Sequence, residues 1–484
     1  MATKPIHLGT ESQLFVDDKL IAAKENVQRS LHPCRKFPQP VLVPDKPWEG
    51  NRVHVSRNVH RDPYTGEFRL CYMSYTYLAG QPEGQEQGRD PKLRGRFTYR
   101  LHAKSPDGVH WVKPDLGRYL YGGSKRNNII YDYGSTVYVE APGSDEENPY
   151  KLLGSFSPIV DSNYTGRERH GYWAAVSPNG LDWRDVAQAP VIPGSDTINL
   201  TRNPQNGEYL AFHKQYVTIR GHRRRTVWLS TSTDFLNWTT PRLVVAPDDQ
   251  DDAWTEGAVE RTEFYNMTAF PYGGQWLGLI TTFRVTEEIA QTKGKRLLRS
   301  PVDGPIYGEL THSRDGYTWN RFEDRSPIIP NGPHDWDAGT IMGISNPIVV
   351  GDEVWVYYTG GNTTHGGSLP EKRFVIGRAA WRLDGFVSID AGSPGGYLET
   401  PLLALSGSQL ILNADASKGR LTVEILDAAG NPIAGYARAD CRIMTADQTR
   451  HPVSWKKQNL LDQGRLARVR FYLQNARLFS FRFC

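Results

Sequence analysis

The feature that most constrains the fold is a short pattern that occurs four times: Ser105-Pro106-Asp107-Gly108-Val109-His110-Trp111, Ser177-Pro178-Asn179-Gly180-Leu181-Asp182-Trp183, Ser232-Thr233-Asp234-Phe235-Leu236-Asn237-Trp238 and Ser313-Arg314-Asp315-Gly316-Tyr317-Thr318-Trp319. The four serines are 72, 55 and 81 residues apart. Ser and Asp or Asn bind nearby backbone N–H groups through short side chains, so each copy reads as a strand end, a tight turn and a Trp that tucks back. A fifth, degenerate copy spans Ala379-Ala380-Trp381-Arg382-Leu383-Asp384-Gly385-Phe386. Self-similarity at this period marks an array of similar supersecondary units.

A similar series of strands precedes each copy. In the first unit it is Arg52–His60, a turn at Asp62-Pro63-Tyr64-Thr65-Gly66, then Phe68–Tyr75 and Tyr99–Lys104. The second reads Thr136–Glu140, Tyr150–Phe156, Tyr172–Val176, and the third Thr197–Arg202, Tyr209–His213, Arg225–Ser230. The fourth reads Phe264–Phe270, Trp276–Phe283, Ile306–His312, and the fifth Ile344–Val350, Val354–Thr359, Arg373–Ala379. Side chains alternate with period two in Val354-Trp355-Val356-Tyr357-Tyr358, as a strand requires. With no long amphipathic helix, the expectation is an all-β chain: a five-bladed β-propeller over residues 1–395. The Trp turns stop near residue 395. Alternating strands at Gln409–Asn413, Arg420–Leu426, Arg465–Leu473 and Leu478–Phe483 follow, and these predict a C-terminal β-sandwich over 396–484.

Charge and composition narrow the function. The chain carries 57 basic and 53 acidic residues, net +4, which gives no reason to expect a nucleic-acid partner. No apolar run is long enough to span a membrane. The four cysteines, Cys34, Cys71, Cys441 and Cys484, show neither metal-binding spacing nor a disulfide framework. Met1-Ala2-Thr3-Lys4-Pro5 lacks a signal-peptide pattern, so the reading is a cytoplasmic protein, or a secreted or periplasmic one whose signal was trimmed. Oligomeric state is not legible.

Five blades with an appended β-sandwich resemble the propeller glycoside hydrolases: the invertase/levanase family 32, the arabinanase/xylosidase family 43, and the neoagarobiose hydrolase and mannoside phosphorylase families. Leu14-Phe15-Val16-Asp17-Asp18-Lys19-Leu20-Ile21, Thr262–Tyr272 and Pro347–Tyr358 are similar to segments of bacterial proteins labelled glycosyl hydrolase family 32-like. The resemblance covers most of the chain and implies a carbohydrate substrate. Of the family 32 motifs W-x-N-D-P-N-G, R-D-P and E-C-P, only Arg61-Asp62-Pro63 is spelled here. It falls at an outer hairpin turn, so no catalytic role is transferred to it. Sialidases share a looser form of the Trp turn but need six blades and an arginine triad.

Glycosidic cleavage normally uses two carboxyl groups, one as acid and one as base or nucleophile. In a propeller these belong at the starts of inner strands. Asp196, Glu263, Asp337 and Glu49 each precede or lead such a strand and are the candidate catalytic residues; each also reads as a turn or cap residue. Candidate substrate contacts are Arg52 and His54 beside Glu49, Asn266 beside Glu263, the pre-strand Trp254 and Trp336, and His365 in a Gly-rich loop. Asp17 and Asp18 read first as a solvent turn, with an axial carboxylate as the alternative. The run Arg220–Arg225 reads as a solvated face, with attraction of an acidic glycan as the alternative. No signature demands a cofactor or metal; a structural calcium or sodium at the axis stays open. The expected function is glycoside hydrolysis. Its rivals are a non-catalytic glycan-binding propeller and a polysaccharide lyase, for which His54, His334 and His365 are available.

Overall fold

The computed structural model describes residues 4–75, 98–131, 136–143, 147–156, 171–194, 196–290, 300–369, 371–456 and 460–484. Among these, strand pairing gives five four-stranded antiparallel units. Unit I is Arg52–Arg61, Phe68–Tyr75, Thr98–Ser105 and Ile129–Tyr131. Unit II is Thr136–Val139, Tyr150–Phe156, Gly171–Ser177 and Arg184–Asp185. Unit III is Ile198–Arg202, Tyr209–Ile219, His222–Ser232 and Arg242–Val245. Unit IV is Arg261–Tyr272, Gln275–Val285, Ile306–Ser313 and Trp319–Arg321.

Unit V differs at both edges. Its inner strand is broken into Thr340–Met342 and Ile348–Val350, both paired with Glu353–Gly361. The sequence reading began this strand at Ile344 and missed the first piece. Pro347, which has no N–H, and Gly343, whose φ is +58°, fall in the break. The outer strand comes from the N-terminal segment: Arg35–Lys36 pairs with Phe374–Arg382.

The units close a ring through their inner strands. Parallel bridges join Ile306 to Thr340 and Phe374 to Arg52. Side chains tie other neighbours: the Leu200 N–H donates to Thr136 Oγ1 at 3.1 Å, the Ala269 N–H to Asn199 Oδ1 at 3.0 Å, and Tyr150 Oη to Asp62 Oδ2 at 2.6 Å. The two parallel bridges bring the starts of inner strands I and V to the same end of the ring, the mouth.

The four Trp turns share one hydrogen-bond scheme. In the first, Asp107 Oδ1 accepts the N–H groups of Val109 and His110, Ser105 Oγ accepts that of Gly108, and Trp111 Nε1 donates to the Gly108 carbonyl. Asn179, Asp234 and Asp315 act in the same way, and Trp183, Trp238 and Trp319 donate to the residue three positions back. Phe235 occupies the glycine position at φ +69° and buries its ring against Tyr209 and Trp238. The degenerate fifth copy instead leads out of the ring: Asp384, at φ +56°, accepts from Tyr272 and Ser480 and fastens the sandwich. Asp62 of the Arg-Asp-Pro sequence accepts from Tyr64, Thr65, Tyr150 and Arg69, the bonds of a turn residue.

The C-terminal strands form two facing sheets. One centres on Leu466–Gln474, flanked by Gly396–Glu399 and Arg420–Leu426; the other centres on Ala476–Phe483, flanked by Leu410–Asp415 and Val387–Ala391. Phe15, Val423, Val469, Phe471, Leu478, Phe481 and Trp455 lie in the shared core. The N-terminal segment is woven into both sheets. Ile6–His7 pairs with Leu403–Ala404, Gln13–Leu14 with Ala476–Phe483, Ala23–Glu25 with Gly396–Glu399, and Gln28–Leu31 with Val387–Ala391. A boundary drawn at residue 395 does not foresee this pairing. Asp17 accordingly lies on the sandwich side, where it caps the turn Asp18–Leu20 and pairs with Arg314 at 2.6 Å.

Candidate functional site

The four candidate carboxylates fall into two kinds. Glu49 and Asp337 end matching one-turn 3-10 helices, Pro47–Glu49 and Asp335–Asp337, just ahead of inner strands I and V. Both are fully buried. Glu49 accepts from the Asp45 and Lys46 N–H groups at 2.8 and 3.0 Å and from Tyr72 Oη at 2.5 Å, with Lys113 Nζ 2.8 Å away. Asp337 accepts from the His334 N–H at 3.2 Å and Tyr358 Oη at 2.8 Å, with Lys36 Nζ also at 2.8 Å. A Trp, an acid, a second-strand Tyr and a Lys therefore recur in two units. Repetition with saturated partners is the pattern of a structural device, and both carboxylates are enclosed in this structure.

Trp336 belongs to the same device. Its ring stacks on His334 and Tyr358 and its Nε1 donates to the Pro38 carbonyl, so it packs and offers no platform. Trp254 is held by Thr262 Oγ1, with the Arg284 guanidinium 5.3 Å over its ring.

Asp196 and Glu263 belong to a cluster at the mouth. The hairpin of unit III runs past the start of its own inner strand, because Ile198 pairs with His213 while the hairpin continues to Ile219 and His222. The projecting part brings Lys214, Tyr216 and Arg225 to the mouth. Asp196 precedes the inner strand with φ +86°, a conformation that Asp and Asn tolerate better than most residues. Its side chain is 43% exposed and forms an ion pair with Lys214, whose side chain is 6% exposed. Burial, the largest single influence, works against the Lys214 ammonium, but the Asp196 carboxylate together with Tyr265 and Tyr216 outweighs it and holds the ammonium above its usual range.

Glu263 is buried and closed in by two guanidinium groups: Arg225 NH1 lies 2.5 Å away and Arg261 Nε 2.8 Å away. Next to it, Tyr265 occupies a β-bulge, where the pairing skips from Phe264 to Asn266. Bulges re-aim side chains, often beside active sites. The Tyr265 ring lies 5.1 Å from Lys214 Nζ and 4.8 Å from the Arg225 guanidinium carbon. Burial, with Asp196 nearby, raises its hydroxyl above the usual range, so it keeps its proton.

His365 completes the cluster. Burial pushes its imidazole down to about 3, so it is neutral near pH 7. Its Nδ1 lies 3.2 Å from the Val302 carbonyl, which can only accept, so the single ring proton sits there. Nε2 then presents a lone pair to Tyr265 Oη at 3.4 Å.

Arg52 and His54 line the mouth from unit I, where Arg52 pairs across to Phe374 and His54 packs edge-on against that ring at 4.6 Å. Asn266 is 1% exposed, and neither side-chain amide atom finds a hydrogen-bond partner among the described residues.

The structure thus gathers Asp196, Glu263 and His365 into one cluster, with Asn266 next to its Tyr265 and Arg52 and His54 on the neighbouring wall. It sets Glu49, Asp337 and Trp336 apart. The run Arg220–Arg225 is not a free face: Arg220 and Arg224 clamp Asp252, and Arg225 holds Glu263. Sequence reasoning missed Lys214 and Lys372 and singled out Arg225 only as part of a basic run. Lys214 had one signal: it falls in register with Leu210 and Phe212, a charge at an inward position of an apolar strand. The sequence also reads Ala79–Arg96, rich in Gly, Gln, Pro and charge, and Thr286–Pro301, rich in Lys, Arg and Glu, as surface loops that either shape the rim or are simply solvated; Ala79–Arg96 lies outside the described residues. Of Thr286–Pro301, Glu287–Glu288 is described as a short ribbon strand with Val302–Asp303. Among the described residues no group of three or more His, Cys, Asp or Glu could hold a metal ion.

No protein-family model matches the chain, and no curated protein matches it. Solved structures do match over most of their length. One described as a glycoside hydrolase is 10% identical, covers 71% of this chain and 92% of its own, and gives a TM-score of 0.44. A β-1,2-mannobiose phosphorylase from Listeria innocua is 16% identical, with 74% and 97% covered and a TM-score of 0.42. An N-acetylgalactosamine deacetylase from F. plautii is 13% identical, with 80% and 97% covered and a TM-score of 0.39. Likeness at this level assigns neither a residue nor an activity.

Proposed function

We propose that the protein is a carbohydrate-active enzyme that cleaves a glycosidic bond at the mouth of the ring. Asp196 is its reacting carboxylate, and Tyr265 with His365 is the second proton-carrying group. The observation that carries this reading is the contrast in access. Asp196 presents its carboxylate to solvent while a buried lysine fixes it from below, whereas Glu49, Glu263 and Asp337 are enclosed.

Hydrolysis needs one group to protonate the leaving oxygen and another to activate water or attack the sugar. Tyr265 carries a proton at neutral pH and can give it to the leaving oxygen. The phenolate left behind faces Lys214 and Arg225, two cations about 5 Å from its ring. Asp196 takes the proton of the attacking water. The proton that Asp196 has taken is exchanged through solvent for one that returns to Tyr265, which restores both groups. Glu263 is a positioning residue that orients Arg225.

A second reading rests on the same Tyr265–His365 contact: β-elimination from a uronic acid, in which Tyr265 or His365 takes the ring proton and the nearby cations offset the sugar carboxylate. The test is product release from a broad glycan panel by wild type, Asp196→Asn and Tyr265→Phe, following both reducing ends and ultraviolet absorbance. Asn suits position 196 because it tolerates positive φ. Reducing ends without new absorbance, lost in both variants, support hydrolysis. New absorbance that survives Asp196→Asn but not Tyr265→Phe moves elimination ahead. Binding without turnover, equal in all three proteins, leaves a glycan-binding propeller.

A further inference from the structure

We infer that the mouth holds a subsite for an oxyanion carried by the sugar, a carboxylate or a sulfate or phosphate ester, centred on Lys372 Nζ. The inference rests on the glycan-cleaving reading above and names the substrate class it implies.

Lys372 is 8% exposed and has no carboxylate within ion-pair distance among the described residues. Lys36 and Lys214, by contrast, each lie against an acid. Lys372 Nζ donates to the His365 carbonyl and lies 5.1 Å from the centre of the Phe374 ring. An ammonium has three donors, so two remain uncommitted. A desolvated ammonium without a counter-ion is unfavourable, and its retention calls for a purpose.

No neighbour forms an ion pair with Lys372 among the described residues. Phe374, on which Lys372 rests, pairs across to Arg52 and packs against His54. His365 is neutral. Asp303, the acid whose charge raises the Lys372 ammonium, lies beyond ion-pair distance and gives Oδ1 to the N–H groups of Gly304 and Gly366 at 2.6 and 2.7 Å. Burial, and next the Arg52 charge, pull the Lys372 ammonium down to about 8, the response expected of a cation waiting for an anion.

The loop does not need this charge to hold its shape. Its backbone is fastened by the Lys372 N–H to the Ser368 carbonyl at 2.8 Å, the Arg373 N–H to Asn362 Oδ1 at 2.7 Å, Asn51 Nδ2 to the Lys372 carbonyl at 2.9 Å and the His365 N–H to the Gly304 carbonyl at 3.0 Å. The unsatisfied amide of Asn266 adds uncommitted hydrogen-bonding capacity on inner strand IV.

The test compares wild type, Lys372→Met and Lys372→Arg on paired probes: a polyuronate and its carboxyl-reduced form, and a sulfated glycan and its desulfated form. Wild type should prefer one anionic member in kcat/KM. Lys372→Met should cut that preference roughly 10–100-fold, chiefly through KM, and Lys372→Arg should restore part of it. The pair that shows the effect tells carboxylate from sulfate. A wild type that prefers the neutral members, or a Met variant that loses both members equally, overturns the subsite. A second measurement does not depend on turnover: inorganic sulfate and phosphate should raise the Tm of wild type and leave that of Lys372→Met unchanged. Turnover failure with a retained Tm response would sink the enzyme reading alone; equal Tm responses in both proteins would sink the anion site.

Discussion

Assigning Glu49 a structural role has a measurable consequence at its partner Lys113. Replacing Lys113 by Met keeps the apolar stem and removes the charge. Glu49 would retain two N–H donors and Tyr72 Oη but lose its cation inside a fully buried site. Breaking a buried ion pair from one side costs about 3–5 kcal/mol. Unfolding entropy of about 2 cal/mol/K per residue over 484 residues gives roughly 1 kcal/mol/K, so a chain unfolding as one unit should lose roughly 3–5 °C in Tm. The assay is differential scanning calorimetry of Lys113→Met, of Glu49→Gln, and of the double variant Glu49→Leu/Lys113→Met. The double variant should recover part of the loss because no charge is left unpaired. Lys36→Met should behave like Lys113→Met, since Asp337 repeats the arrangement. Turnover of properly folded Glu49→Gln should stay within about twofold of wild type. A variant that keeps its Tm and loses turnover a hundredfold would refute the reasoning and return Glu49 to the catalytic site.

Asp196→Asn should lower kcat by at least about a hundredfold while changing Tm little, because position 196 is half exposed; a large Tm loss would instead make Asp196 a structural clamp for Lys214. Acid should destabilise the protein through its buried histidines. Burial pushes His102, His213 and His365 down to about 3 and His312 to about 4, each below the ordinary value near 6.5. The unfolded chain therefore binds more protons between those values, and stability falls as pH drops below about 6.5, by up to about 2 kcal/mol per histidine at pH 5. Urea midpoints that stay constant from pH 7 to 5 would contradict this. Gly316→Ala places a Cβ 2.8 Å from the Trp276 ring at φ +80°; it should cost roughly 2–4 kcal/mol, read as a Tm loss of roughly 2–4 °C.

Repetition made the ring legible in the sequence. Four copies of one turn locate the outer strands, and the turn chemistry at Asp107, Asn179, Asp234 and Asp315 depends only on residues within the copy. What depends on distant residues was not legible. Nothing local says that Arg35–Lys36 completes a unit near residue 380, or that Ile6–His7 pairs with Leu403–Ala404. Glu49 and Asp196 look alike in sequence, as acids ahead of an alternating strand. Their difference lies in Lys113 and Tyr72 on one side and a solvent-facing Lys214 pair on the other, contacts set by packing. His365 was legible as a candidate, but its lone pair toward Tyr265 was not, because the Val302 carbonyl that fixes the tautomer is 63 residues away.

The weaving of the N-terminal strands into the last-made sheets bears on how the chain is born. Gln13–Leu14 leaves the ribosome well before its partner Ala476–Phe483, which is translated some 460 residues later. Arg35–Lys36 likewise waits for Phe374–Arg382. The strands between Ile6 and Lys36 therefore wait for their partners through most of synthesis, with Phe15, Val16 and Leu20 open to chaperones, while units I to IV can assemble in order behind them. Such long-range closure predicts slow final annealing relative to local hairpin formation. It also makes the two ends of the chain interdependent: removing either one strips strands from the same pair of sheets.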